Sequence, residues 1–162
     1  MSLIVQKFGG SSVADAEKLL HIAHITKAAY DAGNDVIVVV SAQGDTTDRL
    51  IDRSRELTAS PSPRELDALL TAGEQISAAL AAMALQTLGV PAVSLSAWQL
   101  PIRSDGVHGD AKIERIGKER VKTELAKRRV VVVAGFQGVD GAGDATTLGR
   151  GGSDYRYIKY KI

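Results

Sequence analysis

The sequence predicts an α/β sandwich built on a mainly parallel sheet, and three observations carry that prediction. Two continuous β-branched runs, 36–40 and 130–134, have the composition of strands buried on both faces. Helical apolar patterns alternate with the strand patterns along the chain. Polar, glycine-rich segments follow the strands at their carboxyl ends, where open parallel sheets hold ligands. The 162 residues, 44% hydrophobic and 24% charged, are enough for about one domain with a sizeable core and argue against a disordered chain.

Leu3, Ile4 and Val5 open a short strand that ends in the turn Lys7-Phe8-Gly9-Gly10-Ser11-Ser12. A helix over 15–32 follows, with Leu19, Leu20, Ala23, Ile25 and Ala28 at helical spacing and Gly33-Asn34 as its stop. The buried strand 36–40 leads into a polar loop at 41–47 and a helix over 48–57. Ser60-Pro61-Ser62-Pro63 breaks the chain, and 64–88 reads as one long helix or two in tandem, with Gly73 the weak point and Gly89 the cap. A strand over 90–95, an irregular stretch at 99–110, a helix over 113–126 and the buried strand 130–135 come next. Residues 136–154 read as a long functional loop, rich in glycine, serine and threonine.

Composition narrows the function classes. The absence of cysteine removes disulfide frameworks, thiolate metal sites and cysteine nucleophiles, and is comfortable in a reducing cytoplasm. The three histidines offer little for a metal site; His21 and His24 read as surface or core residues, and His108 as uninformative. Twenty basic against nineteen acidic residues leave a formal charge of +1, so neither nucleic acid nor a membrane surface is expected as a partner. The apolar runs are short or alanine-rich, no stretch reads as the ~20 apolar residues of a membrane span, and the N-terminus does not read as a signal peptide. Residues 155–162, YRYIKYKI, hold three of the four tyrosines and three cationic residues without an acid, and differ in composition from the rest.

Three segments carry chemistry. At the end of the first strand, Gly9, Gly10, Ser11 and Ser12 let backbone N–H groups approach an anion, the following helix offers its positive end, and Lys7 adds a mobile charge. The same residues also suit a plain connecting turn, and neither P-loop nor Rossmann glycine spacing is present. In Thr146-Thr147-Leu148-Gly149-Arg150-Gly151-Gly152-Ser153-Asp154, Arg150 suits a bidentate grip on carboxylate or phosphate, and Asp154 an ammonium group or magnesium; a solvated surface loop is the plainer reading. Thr71-Ala72-Gly73-Glu74 puts a glutamate in an apolar helix, where its burial demands a partner: a substrate ammonium, a protein cation, or solvent if it faces outward.

Taken together, Val5-Gln6-Lys7-Phe8-Gly9-Gly10-Ser11-Ser12-Val13, Val39-Val40-Ser41-Ala42 with Gly44-Asp45-Thr46-Thr47, Leu70-Thr71-Ala72-Gly73-Glu74, Ala134-Gly135-Phe136-Gln137-Gly138 and Thr147 to Asp154 closely resemble the aspartate kinases, in that family's order. The resemblance covers residues 2–154. It implies the amino acid kinase fold, a three-layer α/β/α sandwich, and transfer of the ATP γ-phosphoryl group to the β-carboxylate of L-aspartate, the entry to lysine, threonine and methionine synthesis. It further implies Lys7 and Asp154 as catalytic residues, and Ser41, Thr47, Glu74, Arg150 and Ser153 on aspartate. Lys7, Gly9, Gly10, Ser11, Gly151 and Gly152 fall on phosphate, and Gly135 lines the same cleft. The implied co-substrate is ATP with Mg2+, with no tightly bound cofactor and no metal held by protein ligands. A homodimer is left open. The acceptor carboxylate, with a reference pKa of ~3.9, is already ionised at neutral pH, so the lack of a general base is no objection.

Beyond Asp154 the resemblance stops. The expectation is therefore a substrate-binding N-terminal lobe at 1–154, a tail at 155–162 with the alternation of an added strand, and no adenine-binding lobe or ACT regulatory domains. Such a chain by itself is expected to be inactive. The alternative function is a non-catalytic folded lobe that at most binds aspartate or phosphate.

Overall fold

In chain order the strands are β1 (Leu3–Phe8), β2 (Asp35–Val40), β3 (Ala92–Leu95), β4 (Ile102–Ser104), β5 (Ile113–Ile116), β6 (Val130–Ala134), β7 (Gln137–Val139) and β8 (Ala145–Thr147). The helices are α1 (Ala16–Asp31), α2 (Thr46–Leu57), α3 (Pro63–Thr87) and α4 (Glu119–Ala126). The computed structural model describes residues 2–149. The expected tail strand at 155–162 lies outside the described residues.

The central sheet is parallel throughout, ordered β1-β2-β6-β3. Alternation along β2 and β6 explains why both are wholly apolar. Val36, Val38, Val40, Val130, Val132 and Ala134 pack into a core with α1 and α3, while Ile37, Val39, Val131 and Val133 pack into a second core on the other face. Helix α3 turns Ala78, Ala81, Ala82 and Leu85 toward the first core, and these small side chains let it lie close against the sheet. The second core is closed by α4 together with a smaller sheet ordered β5-β4-β7-β8. The molecule is therefore a three-layer sandwich around a parallel sheet.

Helix starts follow the local chemistry of the sequence. Asp15 caps α1 by accepting from the Lys18 N–H at 2.9 Å, and Ser62 caps α3, with Pro63 at the first helical position where its missing N–H costs nothing. Gly33 and Gly89 take positive φ (86° and 75°) just beyond α1 and α3. At the amino-terminal edge of the sheet, the Arg128 guanidinium lies 4.8 Å from the Tyr30 ring centroid and pairs with Asp35 at 3.1 Å, joining α1, β2 and β6.

Several sequence expectations need correction. Helix α3 runs unbroken through Gly73, so of the two readings of 64–88 the single long helix is the one found. It is also long and apolar enough to cross a membrane by length and composition, contrary to the sequence reading, but 56% of that stretch is buried inside the protein. The helix expected over 113–126 is a strand, β5, followed by the shorter α4. Ile113, Ile116, Val121 and Leu125 fit a helical period, yet the chain turns at Gly117, whose N–H reaches the Leu100 and Pro101 carbonyls. A Cβ there would lie 3.0 Å from the Leu100 oxygen. The irregular stretch 99–110 contains β4, and the expected long loop at 136–154 contains the β7–β8 hairpin, which turns through Asp140 to Asp144. Three-residue strands are too short to show alternation, so their pairing partners, not their own pattern, define them.

Candidate functional site

Parallel pairing sets Phe8, Val40 and Ala134 side by side as the last residues of β1, β2 and β6. The chain segments that follow therefore emerge at one edge of the sheet. The Ser41 N–H donates to the Phe8 carbonyl at 3.2 Å, and the Gly135 N–H to the Val40 carbonyl at 2.9 Å. After β1, Gly10–Val13 forms a 3-10 turn leading into α1. Gly10 touches the loop after β2 directly: its carbonyl accepts from the Gly44 N–H at 3.0 Å, and a Cβ on it would sit 2.5 Å from the Ala42 carbonyl oxygen. Gln43 completes the contact by donating its side-chain amide to the Val13 carbonyl at 2.7 Å.

Helix α3 brings Glu74 to the same edge. A Cβ at Gly73 would meet the Ala42 Cβ at 3.0 Å, so the glycine is what lets the loop after β2 come this close to the helix. The Ala42 N–H consequently reaches Glu74 Oε1 at 3.2 Å. Glu74 is 2% exposed, and its Oε2 is a buried side-chain polar atom without a hydrogen-bond partner among the described residues. Burial pushes the Glu74 carboxyl up to about 7, against a smaller opposing effect of the Ala42 hydrogen bond. A helix that is otherwise apolar here holds a carboxyl group with one oxygen satisfied and the other unspent.

The sequence-predicted residues among 2–149 gather at this edge. Lys7 and Gly9 lie at the end of β1, Gly10 and Ser11 in the turn after it, Ser41 directly after β2, and Gly135 directly after β6. Thr47 is in the first turn of α2, beside Thr46, whose methyl packs against Gly73. Arg150, Gly151, Gly152, Ser153 and Asp154 lie outside the described residues. His21 and His24 are exposed on α1.

Three residues to which sequence reasoning gave no role of their own, two of them inside the quoted 134–138 motif, connect the elements around this site. Phe136, between β6 and β7, adopts φ 61°, a left-handed conformation costly for an aromatic residue, and its carbonyl accepts from the Leu148 N–H at 3.0 Å. Gln137 is fully buried and bridges the Ala97 N–H (3.0 Å) and the Thr71 carbonyl (3.3 Å). Asp67 is 1% exposed on α3 and accepts from Thr147, His108 and Gly109. The signal for Asp67 was present: it stands seven positions before Glu74 in the same apolar helix, and the argument from burial applies equally to both.

A family model described as the amino acid kinase family matches residues 2–157. The aspartokinase of Mycobacterium tuberculosis (strain ATCC 25618 / H37Rv) is 55% identical over 155 residues, which is 95% of this chain and 37% of the relative. The crystal structure of aspartate kinase from Synechocystis superposes with a TM-score of 0.76 at 42% identity, over 93% of this chain and 24% of that one. E. coli aspartokinase III, in complex with lysine and aspartate, superposes with a TM-score of 0.77 at 26% identity, over 94% of this chain and 45% of that one. The chain thus spans less than half the length of each of these relatives.

Proposed function

The chain belongs to the amino acid kinase family, and from that premise we propose that it forms the aspartate-holding part of an aspartate kinase, which passes the γ-phosphoryl group of ATP to the β-carboxylate of L-aspartate. The observation that carries this reading is Glu74. Its buried Oε2, without a partner among the described residues, matches the need of a substrate ammonium group for a desolvated anion. Arg150 would take the α-carboxylate in a bidentate fork, with Ser41, Thr47 and Ser153 completing the aspartate contacts. The β-carboxylate attacks as the anion it already is, so the residues need only hold two anions together and share the charge of the transferring phosphoryl. Lys7, the glycines at 9 and 10, Ser11, and Gly151, Gly152 and Asp154 are assigned to that end. ATP enters with its own Mg2+ as co-substrate, in the cytoplasm.

The reading is tested by titrating the chain with L-aspartate and with succinate, which keeps both carboxylates and lacks the ammonium. Aspartate is expected to bind and succinate to bind far more weakly; equal affinity would remove Glu74 from the ammonium role. In the same titration Arg150→Lys is expected to weaken aspartate about tenfold, since lysine cannot reproduce the two parallel hydrogen bonds of a guanidinium. Unchanged affinity would take Arg150 out of the site.

A further inference from the structure

The loop after β2 touches Glu74, and the Gln43 side chain restrains that loop. Its amide donates to the Val13 carbonyl at 2.7 Å. Val13 ends the 3-10 turn after β1 and is fully buried in the first core, so its carbonyl stands on a fixed part of the molecule and the loop is the partner that the bond restrains. The backbone of Gln43 is tied as well, since its carbonyl accepts from the Thr46 N–H at 2.9 Å, where α2 begins. On one side of Gln43 the Ala42 N–H reaches Glu74 Oε1 at 3.2 Å; on the other, the Gly44 N–H reaches the Gly10 carbonyl at 3.0 Å. Three consecutive residues therefore bridge α3 and the turn after β1.

These bonds differ in what they ask of the sequence. The bond from Gly44 to Gly10 is backbone to backbone and survives any side chain at position 43. The bond from Gln43 to Val13 needs a donor at the end of a side chain of that length. The Ala42 contact with Glu74 stands at the long end of the N–H···O range, so a small retreat of the loop breaks it. We propose that Gln43 is a positioning residue for aspartate: by clasping Val13 it keeps the Ala42 N–H on Glu74 Oε1, and so leaves Oε2 as the oxygen presented to the substrate ammonium. This rests on the aspartate-site reading above. The same side chain joins the ammonium end of the site to the turn assigned to phosphate, and its backbone joins both to the start of α2, which carries Thr47.

Gln43→Met keeps the length of the side chain and removes the donor; Gln43→Ala removes both, and serves where methionine packs badly. Among the described residues the proton affinity of Glu74 answers to burial, which raises it, and to N–H groups led by that of Ala42, which lower it. Its titration in the folded protein, read from the carboxyl carbon-13 resonance, therefore reports the Ala42 contact and does not move with global stability. The parent and both variants are also titrated with L-aspartate by calorimetry at pH 7. We expect each variant to raise the Glu74 midpoint by about one pH unit, the loss of one hydrogen bond to a charged group, and to weaken aspartate about fivefold, the fall in ionised Glu74 that this rise brings at pH 7. An unmoved midpoint overturns the proposal, because Gln43 then does not hold Ala42 on Glu74. A raised midpoint with unchanged aspartate affinity overturns it too, and leaves Gln43 a plain tether of the loop. A parent chain that binds no aspartate defeats the site reading, and the positioning of aspartate with it, while the midpoint still decides whether Gln43 orders Glu74.

Discussion

Glu74→Gln is expected to make the protein more stable above pH 7 and to weaken L-aspartate by roughly thirtyfold to several thousandfold, the range for losing one partner of a desolvated charge pair. Both effects come from the same buried carboxyl. Its pKa stands at about 7 in the folded protein against 4.5 as the ordinary value. Between those two values the folded state binds more protons than the unfolded one, so stability falls as pH rises from about 4.5 to about 7 and stays low above that. The integrated loss is about 3 kcal/mol. Glutamine keeps an oxygen for the Ala42 N–H, carries no charge at any pH, and removes the slope. Urea unfolding at pH 5 and pH 8 checks this: the parent should lose stability between the two, and the variant should not. Parallel pH profiles for both proteins would refute the assignment. A further sign accompanies binding itself. An ammonium arriving near pH 7 should drive the proton off Glu74, so the calorimetric heat should depend on the ionisation enthalpy of the buffer.

The second large effect separates two glycines that look alike in the sequence. Gly10→Ala is expected to destabilise the protein by roughly 3 kcal/mol, the upper end for inserting a methyl group into packed structure. The atom it meets is the Ala42 carbonyl oxygen, part of the backbone that also donates to Glu74, and it cannot rotate aside as a side chain would. Gly9→Ala meets nothing within 4 Å, and its φ of −73° suits any residue, so a change within about 0.5 kcal/mol is expected. Thermal unfolding of the two variants beside the parent is the measurement. Equal destabilisation would show that the turn tolerates no side chain at either place, and that contact with the loop after β2 is not the reason for Gly10.

How much of this was legible in the sequence depends on the length of each signal. Val36 to Val40 and Val130 to Ala134 have the β-branched composition of strands buried on both faces, and they are the two middle strands of the sheet. Glu74 was legible because a carboxyl in an apolar helix is conspicuous. Its contact with Ala42, 32 residues earlier in the chain, was not, since that depends on Gly73 admitting the loop after β2. Gly73 itself read as a helix weakness and is a point of close approach. The smaller sheet escaped because β4, β7 and β8 are three residues each, and their pairing joins segments far apart in sequence. The partners of Asp67 escaped for the opposite reason: Thr147, His108 and Gly109 are residues of a kind found on any surface, and only the fold brings them to a buried carboxylate.

The strand order β1-β2-β6-β3 places the last of these strands to be synthesised between two that precede it. A nascent chain that has released only its first hundred residues holds β1 paired with β2, and β3 with no neighbour in the sheet. Their valine-rich faces wait, uncovered, for Val130–Ala134 to leave the ribosome. Such distant parallel pairing is slow and exposes apolar surface while it is incomplete. The edge that gathers Gly10, Ser41, Glu74 and Gly135 comes into being only when that strand slots home, so pulse-labelled amides of β6 and of the 41–44 loop should gain protection together and late. Birth order along the polypeptide makes the candidate site one of the last parts of this molecule to exist.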